Sequence, residues 1–150
     1  FAVPIPARFT MIDYAPNTLV YSDREYVSSI DSPTLRDTQV VLLPRHRRDS
    51  IWIVSDAPVT VYRMLSPKND NAAFAGYQPS QALVFVKGLS CNMDRLVIKE
   101  YPAGAHAEPP GGPVAASPLL LRGDGSLRAE QRKSVAQWTS SWIIGLFASR

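Results

Sequence analysis

The sequence predicts a mainly β protein, an antiparallel jelly-roll-like β-sandwich that carries an amphipathic helix at its C-terminal end. Three observations favour this fold class. Short runs rich in β-branched and aromatic residues recur as far as Tyr101, with turns between them at the spacing of a sandwich or barrel. Thirteen prolines argue against long helices over most of the chain. From Ser126 onward, apolar residues recur instead at helical spacing.

The most strongly patterned stretch is residues 82–101. Its two apolar runs, 83–86 and 96–98, are too short for a typical helix and are rich in β-formers. Gly88 opens the polar connection between them, so the stretch predicts a β-hairpin. Because neither run alternates apolar and polar residues, we expect both faces of each strand to be covered.

Earlier parts of the chain supply the other strands. Residues 1–7 contain Pro4 and Pro6, which donate no backbone hydrogen bond, so they predict an extended arm over the body or a neighbour. In chain order, the further strand candidates are residues 8–14, 18–21, 25–30, 38–43, 51–54 and 59–65.

The composition changes after Tyr101. We expect residues 1–104 to form the sandwich with its arm, residues 105–125 a Pro/Gly-rich tail, and residues 126–150 the amphipathic helix. Within the tail, the leucine run 119–121 predicts a short edge strand or an anchor. Ser126 suits a helix N-cap, and Glu130 lies where the helix dipole favours an acid.

Size and charge limit the protein class. A chain of 150 residues suits one domain with a real core, and a net charge of +3 is too mild to demand nucleic acid. The single cysteine, Cys91, excludes an internal disulfide and a cysteine-based zinc site within this chain. We find no secretory signal and no apolar run of the roughly 20 residues that span a membrane. Because the first residue is Phe1, we expect a processed product or a trimmed chain.

Motifs of catalysis are missing from the sequence. The two histidines, His46 and His106, have no second His or Glu at metal-ligand spacing. No Gly-x-Ser-x-Gly elbow and no phosphate-binding glycine loop occurs. We therefore predict a protein that is not an enzyme and has no cofactor, no metal and no small-molecule substrate.

Two exposed segments are candidates for contact with other molecules. The basic cluster Arg45, His46, Arg47 and Arg48 suits a solvated loop between strands, or contact with RNA phosphates or a partner chain. Arg122, Gly123 and Asp124 match the integrin-binding tripeptide, and the same segment also suits a turn before the helix.

The predicted helix has one apolar stripe. Its members, Val135, Trp138, Trp142 and Leu146, follow one another at spacings of three, four and four. Tryptophans next to basic residues suit either a packing surface or an interfacial membrane helix. We expect the stripe to pack on another subunit or, as the alternative, on lipid.

Residues 82–89 and 96–102 resemble the end of a viral capsid jelly roll. In small icosahedral RNA viruses the last two strands often show an apolar run, Gly-Leu, a polar turn and a second apolar run before a proline-rich tail. This chain has that order. It is shorter than a complete capsid subunit and lacks a strongly basic arm, so the resemblance implies a cleaved portion of a capsid protein or a minor shell component.

These observations lead to three functional hypotheses. The preferred one is a structural protein that assembles with copies of itself into a multi-subunit shell and is located in the virion. The alternative is a non-catalytic accessory or binding subunit of a large cellular complex, located inside the cell. An enzyme with a pocket in the sandwich is the third hypothesis.

Overall fold

The structure is a computed structural model that describes residues 7–23, 26–28, 33–46, 50–65, 76–88, 91–109 and 117–132. Within these ranges the protein is mainly β, and its helical structure is one 3₁₀ turn at Pro33–Leu35. The strands in chain order are β1 (Ala7–Arg8), β2 (Met11–Asp13), β3 (Thr18–Leu19), β4 (Val27–Ser28), β5 (Gln39–Val41), β6 (Ile51–Ser55), β7 (Val59–Leu65), β8 (Gln78–Lys87), β9 (Cys91–Tyr101), β10 (Gly104–Glu108), β11 (Leu119–Gly123) and β12 (Leu127–Gln131).

The strands form two antiparallel sheets. The smaller has four strands in the order β1-β12-β6-β10, and the larger has eight in the order β2-β5-β11-β7-β9-β8-β4-β3. Six chain connections pass from one sheet to the other: β1 to β2, β5 to β6, β6 to β7, β9 to β10, β10 to β11 and β11 to β12. The four-stranded sheet therefore stacks over one half of the eight-stranded sheet.

Strands β5, β11 and β7 are covered on both faces. One face of the eight-stranded sheet curls around a first core that contains Val40 and Leu120. The opposite face packs on the four-stranded sheet in a second core that contains Val41, Leu119 and Leu121. Consecutive apolar residues such as Val40 and Val41, Val61 and Tyr62, and Leu119, Leu120 and Leu121 are therefore buried, as is typical of strands enclosed on both sides.

Three of the connections between the sheets meet at one corner. They are residues 56–58, 102–103 and 124–126. The backbone N–H of Ser126 donates to Asp56 Oδ1 over 2.6 Å, and the backbone N–H of Asp56 donates to the Ser126 carbonyl over 3.2 Å. These bonds join two of the three connections.

The predicted hairpin is confirmed as β8 and β9, which pair from Leu83–Arg95 to Lys87–Cys91. The expected coverage of both faces is wrong for the first run, because Leu83 is 46% exposed and Phe85 is half-buried. In the second run Leu96 and Val97 are buried. The first run is exposed because the second layer is narrower than the first. Among the described residues, the four-stranded sheet ends at its edge strand β10, which directly follows β9 in the chain.

The expected division of the C-terminal half needs correction. Residues 104–108 and 119–123 are strands rather than an irregular tail, and the leucine run 119–121 lies in a central strand between β5 and β7. The predicted helix is wrong for residues 126–132, because Leu127–Gln131 pairs with β6 on one side and β1 on the other. Residues 133–150, with the predicted stripe, lie outside the described residues.

Candidate functional site

Arg63 is a fully buried arginine between the two sheets. It projects from β7 on the face that carries Val59 and Val61 of the second core. Its Nε donates to Ser117 Oγ over 2.9 Å and its Nη2 donates to the Ser117 carbonyl over 3.1 Å. Its Nη1 donates to the Pro109 carbonyl over 2.8 Å. Strand β7 thus binds the chain on both sides of residues 110–116.

Glu108 supplies the opposite charge from the end of β10. Its Oε2 lies 3.4 Å from Arg63 Nη1, and both side chains are fully buried. The Tyr101 hydroxyl donates to Oε1 over 2.9 Å, and the Tyr77 hydroxyl donates to Oε2. Burial and the neighbouring Glu108 charge raise the pKa of both tyrosines, so both hydroxyls remain protonated donors.

An aromatic layer covers this ion pair. The Lys99 ammonium lies 4.8 Å from the ring centre of Tyr101 and 5.6 Å from that of Tyr77. His106 stacks on Tyr101 at 4.6 Å, and its Nε2 is 2.8 Å from the Pro102 carbonyl. Each charged group of the cluster therefore has a partner, and the arrangement is suited to joining the sheets rather than to reacting with a substrate.

Asp94 is the second buried carboxylate, and its surroundings differ. It projects from β9 opposite Val84, is 5% exposed, and lies against the first core. Its Oδ1 has no hydrogen-bond partner among the described residues. Burial raises the pKa of Asp94 to about 6. The nearby Tyr21 hydroxyl also has a raised pKa, about 12, chiefly because of its burial.

A half-open cavity of about 460 Å³ lies next to the corner where the connections between the sheets meet. Its lining residues are Asp13, Tyr14, Asp37, Thr38, Gln39, Leu121, Gly123 and Leu127. Two exposed carboxylates contribute to it, those of Asp13 and Asp37. The described part of the chain contains no group of three His, Cys, Asp or Glu side chains able to hold a metal ion.

The predicted basic cluster is described at Arg45 and His46 only. Arg45 is turned toward its own chain: its backbone N–H donates to Asp23 Oδ1 over 3.0 Å, and its guanidinium lies 5.1 Å from the centre of the Tyr26 ring. His46 is exposed. Arg47 and Arg48 lie outside the described residues, so contact of this loop with RNA or a partner stays a prediction.

The Arg-Gly-Asp tripeptide lies at the end of β11 and the corner. The Arg122 guanidinium donates to the Tyr62 hydroxyl over 2.7 Å and to the Thr34 carbonyl over 2.9 Å, and it also contacts the Arg36 carbonyl. Arg122 therefore holds the 3₁₀ turn against the sheet. Gly123 and Asp124 are exposed.

The eight-stranded sheet has an apolar strip that the smaller sheet does not cover. Register places five side chains on the face that carries Val61 and Arg63, since directly opposed residues share a face. We call them the uncovered strip: Leu19, Val27, Leu83, Phe85 and Met93. Three of these, Leu19, Leu83 and Met93, are 42%, 46% and 42% exposed, while Val27 and Phe85 are half-buried.

Neither the buried ion pair nor the uncovered strip was predicted from the sequence. Arg63 lies inside the strand predicted at residues 59–65, but its partner Glu108 is 45 positions away in the segment 105–125 that was expected to be a Pro/Gly-rich tail. In the uncovered strip, Leu83 and Phe85 belong to a run that was expected to be covered on both faces, and Met93 lies in what was expected to be the polar connection of the hairpin. Among the described residues, no helix is long and apolar enough to cross a membrane.

Comparisons with known proteins show the fold alone. No known protein family and no curated protein sequence matches this chain. A solved structure that is similar is a β-glucuronidase from glycoside hydrolase family 2, with a TM-score of 0.58 and 13% sequence identity. The match covers 85% of this chain but 14% of that enzyme's chain, so this fold corresponds to a small part of a much longer polypeptide.

Proposed function

We propose that this protein is a non-catalytic structural module that works as one part of a larger assembly. The observation that carries the proposal is the buried cluster of Arg63, Glu108, Tyr77 and Tyr101. Its charges and hydroxyls are engaged with one another between the two sheets, so they stabilise the body instead of facing a substrate.

A multi-subunit shell is the form of assembly that the sequence resemblance supports. The β8–β9 hairpin has the order of runs found at the end of a capsid jelly roll, and the sandwich is proposed to be of that type. Many copies would then associate with one another around a shell, with the loop at Arg45 and His46 near RNA.

An accessory module of a larger polypeptide or complex is the second candidate. The specific observation in its favour is the structural likeness to 14% of a β-glucuronidase chain, in which such a fold is one part of a long protein. As an accessory module, the chain would contact one large partner and would form no closed particle of its own.

Mass measurement of the purified protein in solution, followed by electron microscopy, tests the proposal and separates its two forms. Closed particles of many copies support the shell. A single copy of the protein bound to a larger chain from its source supports the accessory module. Turnover of a substrate that is abolished by Asp13→Asn or Asp37→Asn, in the half-open cavity, would contradict the non-catalytic proposal.

A further inference from the structure

The uncovered strip is a direct continuation of the surface that the second core buries. From β7 to β3 the same sheet face carries Val61, then Met93, Phe85, Val27 and Leu19. The four-stranded sheet covers this face as far as the strand that leads into β10. Beyond that strand the face is apolar, and three of its side chains, Leu19, Leu83 and Met93, are 42%, 46% and 42% exposed.

Two basic residues lie next to the strip. Lys87 pairs with Val27 and Cys91, and Arg95 pairs with Leu83. No acidic residue occupies the paired positions of this face among the described residues of β3, β4, β8 and the β8-paired part of β9. Two copies packed strip to strip would bring these cations together, which disfavours a symmetric dimer through this surface.

Tryptophan suits a surface of this composition. Indole rings bury large apolar area and also accept cations on their faces. The protein already uses such contacts, since the Arg132 guanidinium lies 4.7 Å from the Trp52 ring centre and that of Arg122 lies 5.2 Å from the Tyr62 ring centre. Two further tryptophans, Trp138 and Trp142, belong to the predicted apolar stripe.

The chain leaves the described body on the same side of the molecule as the strip. Strand β12 starts at the corner, where Leu127 pairs with Ser55, and ends at Gln131, on the side of the molecule remote from the corner. In the larger sheet, Val59 pairs with Tyr101 at the corner, whereas Arg95 and the strip lie near Leu65 at the remote end. Exit point and strip are thus on the same side.

The remaining chain is long enough for the path. From β12 across β6 and β10 to β8, strand and sheet spacings give about 20 to 25 Å. The 18 residues that follow Arg132 reach about 27 Å as a helix and about 60 Å when extended. Because the segment is tethered within its own reach of the strip, its effective concentration there is on the order of millimolar. This favours binding of the segment over binding of a separate molecule.

We propose that residues 133–150 lie on the uncovered strip of their own chain. Trp138 and Trp142 would pack on Leu83, Phe85 and Met93. This completes the second layer over the open half of the eight-stranded sheet. It replaces the neighbouring subunit or lipid that the sequence alone suggested as the cover of the stripe, and it does not depend on which larger assembly the protein joins.

Disulfide trapping in the full-length chain tests the proposal. In a Cys91→Ser background, Met93→Cys is combined in turn with Trp138→Cys, Trp142→Cys and Leu146→Cys, and the protein is oxidised at low concentration. We expect one or more of these pairs to form an intramolecular disulfide in the monomer. Asp124→Cys with Trp142→Cys is the matched control, because Asp124 is exposed at the opposite corner.

Each result decides the question. Disulfide-linked dimers would overturn the proposal and place the segment on another copy. Absence of any disulfide in all three pairs would overturn it as well. A second measurement uses Trp52→Phe with Trp138→Phe, which leaves Trp142 as the single tryptophan. We expect the fluorescence emission of Trp142 to be blue-shifted, and to move to the red in Leu83→Glu/Met93→Glu. The exposed control Gln78→Glu should leave the emission unchanged. An emission spectrum that does not change in Leu83→Glu/Met93→Glu would contradict the proposal.

Discussion

Asp94 is a carboxyl group that folding removes from water while its Oδ1 finds no hydrogen-bond partner among the described residues. Because burial raises the pKa of Asp94 from 3.8 to about 6, the folded protein holds a proton that the unfolded chain has already lost near pH 5. The free energy of unfolding therefore falls as pH rises from about 4 to about 6 and stays at the lower value above that range.

Asp94→Asn should remove this pH dependence. At pH 8 we expect the variant to be more stable by about 1 to 3 kcal/mol, since it avoids burying a charge, and at pH 4 we expect little difference. Urea denaturation at several pH values measures this. The exposed Asp124→Asn serves as control. Equal destabilisation of Asp94→Asn at pH 4 and pH 8 would contradict the assignment.

The Arg63–Glu108 pair makes a different prediction at the same scale. Glu108→Gln leaves the buried guanidinium without its counter-charge, so we expect a loss of about 3 to 5 kcal/mol in the free energy of unfolding. The double variant Arg63→Met/Glu108→Gln removes both charges and should recover part of that loss. Denaturation midpoints compare the stability of the two variants with that of the exposed control Lys87→Met. A double variant less stable than Glu108→Gln would argue against a stabilising Arg63–Glu108 pair.

The sequence contains the residues of this cluster, but it does not predict that they come into contact. Burial of Arg63 follows from a strand covered on both faces, and that coverage depends on which distant strands flank it. Glu108 and Ser117 reach it only because β10 and β11 join different sheets on either side of residues 110–116. Pairings over such distances carry no local signal in the sequence.

Strands and turns differ in how far local patterns determine them. The β8–β9 hairpin was predicted because β-rich runs and a glycine-opened connection are close in sequence. Strand β12 was expected to be helical, because Ser126 and Glu130 resemble the start of a helix. Pairing of Leu127–Gln131 with both β6 and β1 outweighs that weak propensity.

The corner between the sheets depends on a glycine at position 125. A Cβ added there would lie 1.9 Å from Asp56 Oδ1 and 2.8 Å from the Ala57 Cβ. Gly125→Ala should therefore displace the carboxylate that accepts the Ser126 N–H and destabilise the protein by about 1 to 3 kcal/mol.

Gly123→Ala is the matched control for the corner. Its added Cβ would meet its nearest neighbour, the Pro58 carbonyl oxygen, at 3.5 Å, an ordinary contact. Thermal unfolding followed by circular dichroism compares the two variants. If Gly125→Ala melts with the wild type, the Asp56–Ser126 bonds do not hold the sheets together.

The whole molecule has two cores that share one sheet. In β5, neighbouring residues point in opposite directions, Val40 into the first core and Val41 into the second. Since β5, β11 and β7 belong to both cores, neither core persists when these strands separate. We therefore expect one cooperative unfolding transition for the described body.

Val40→Ala and Val41→Ala test this coupling. Each removes buried methyl groups and should cost about 1 to 3 kcal/mol. Trp52 fluorescence, in a Trp138→Phe/Trp142→Phe background, reports on the smaller sheet, and near-ultraviolet dichroism of the tyrosines reports mainly on the first core. Each variant should shift both signals to the same new midpoint, because one sheet transmits the loss to both sides. If each variant lowers only the midpoint reported from its own core, and the two signals have separate midpoints, the two layers unfold independently.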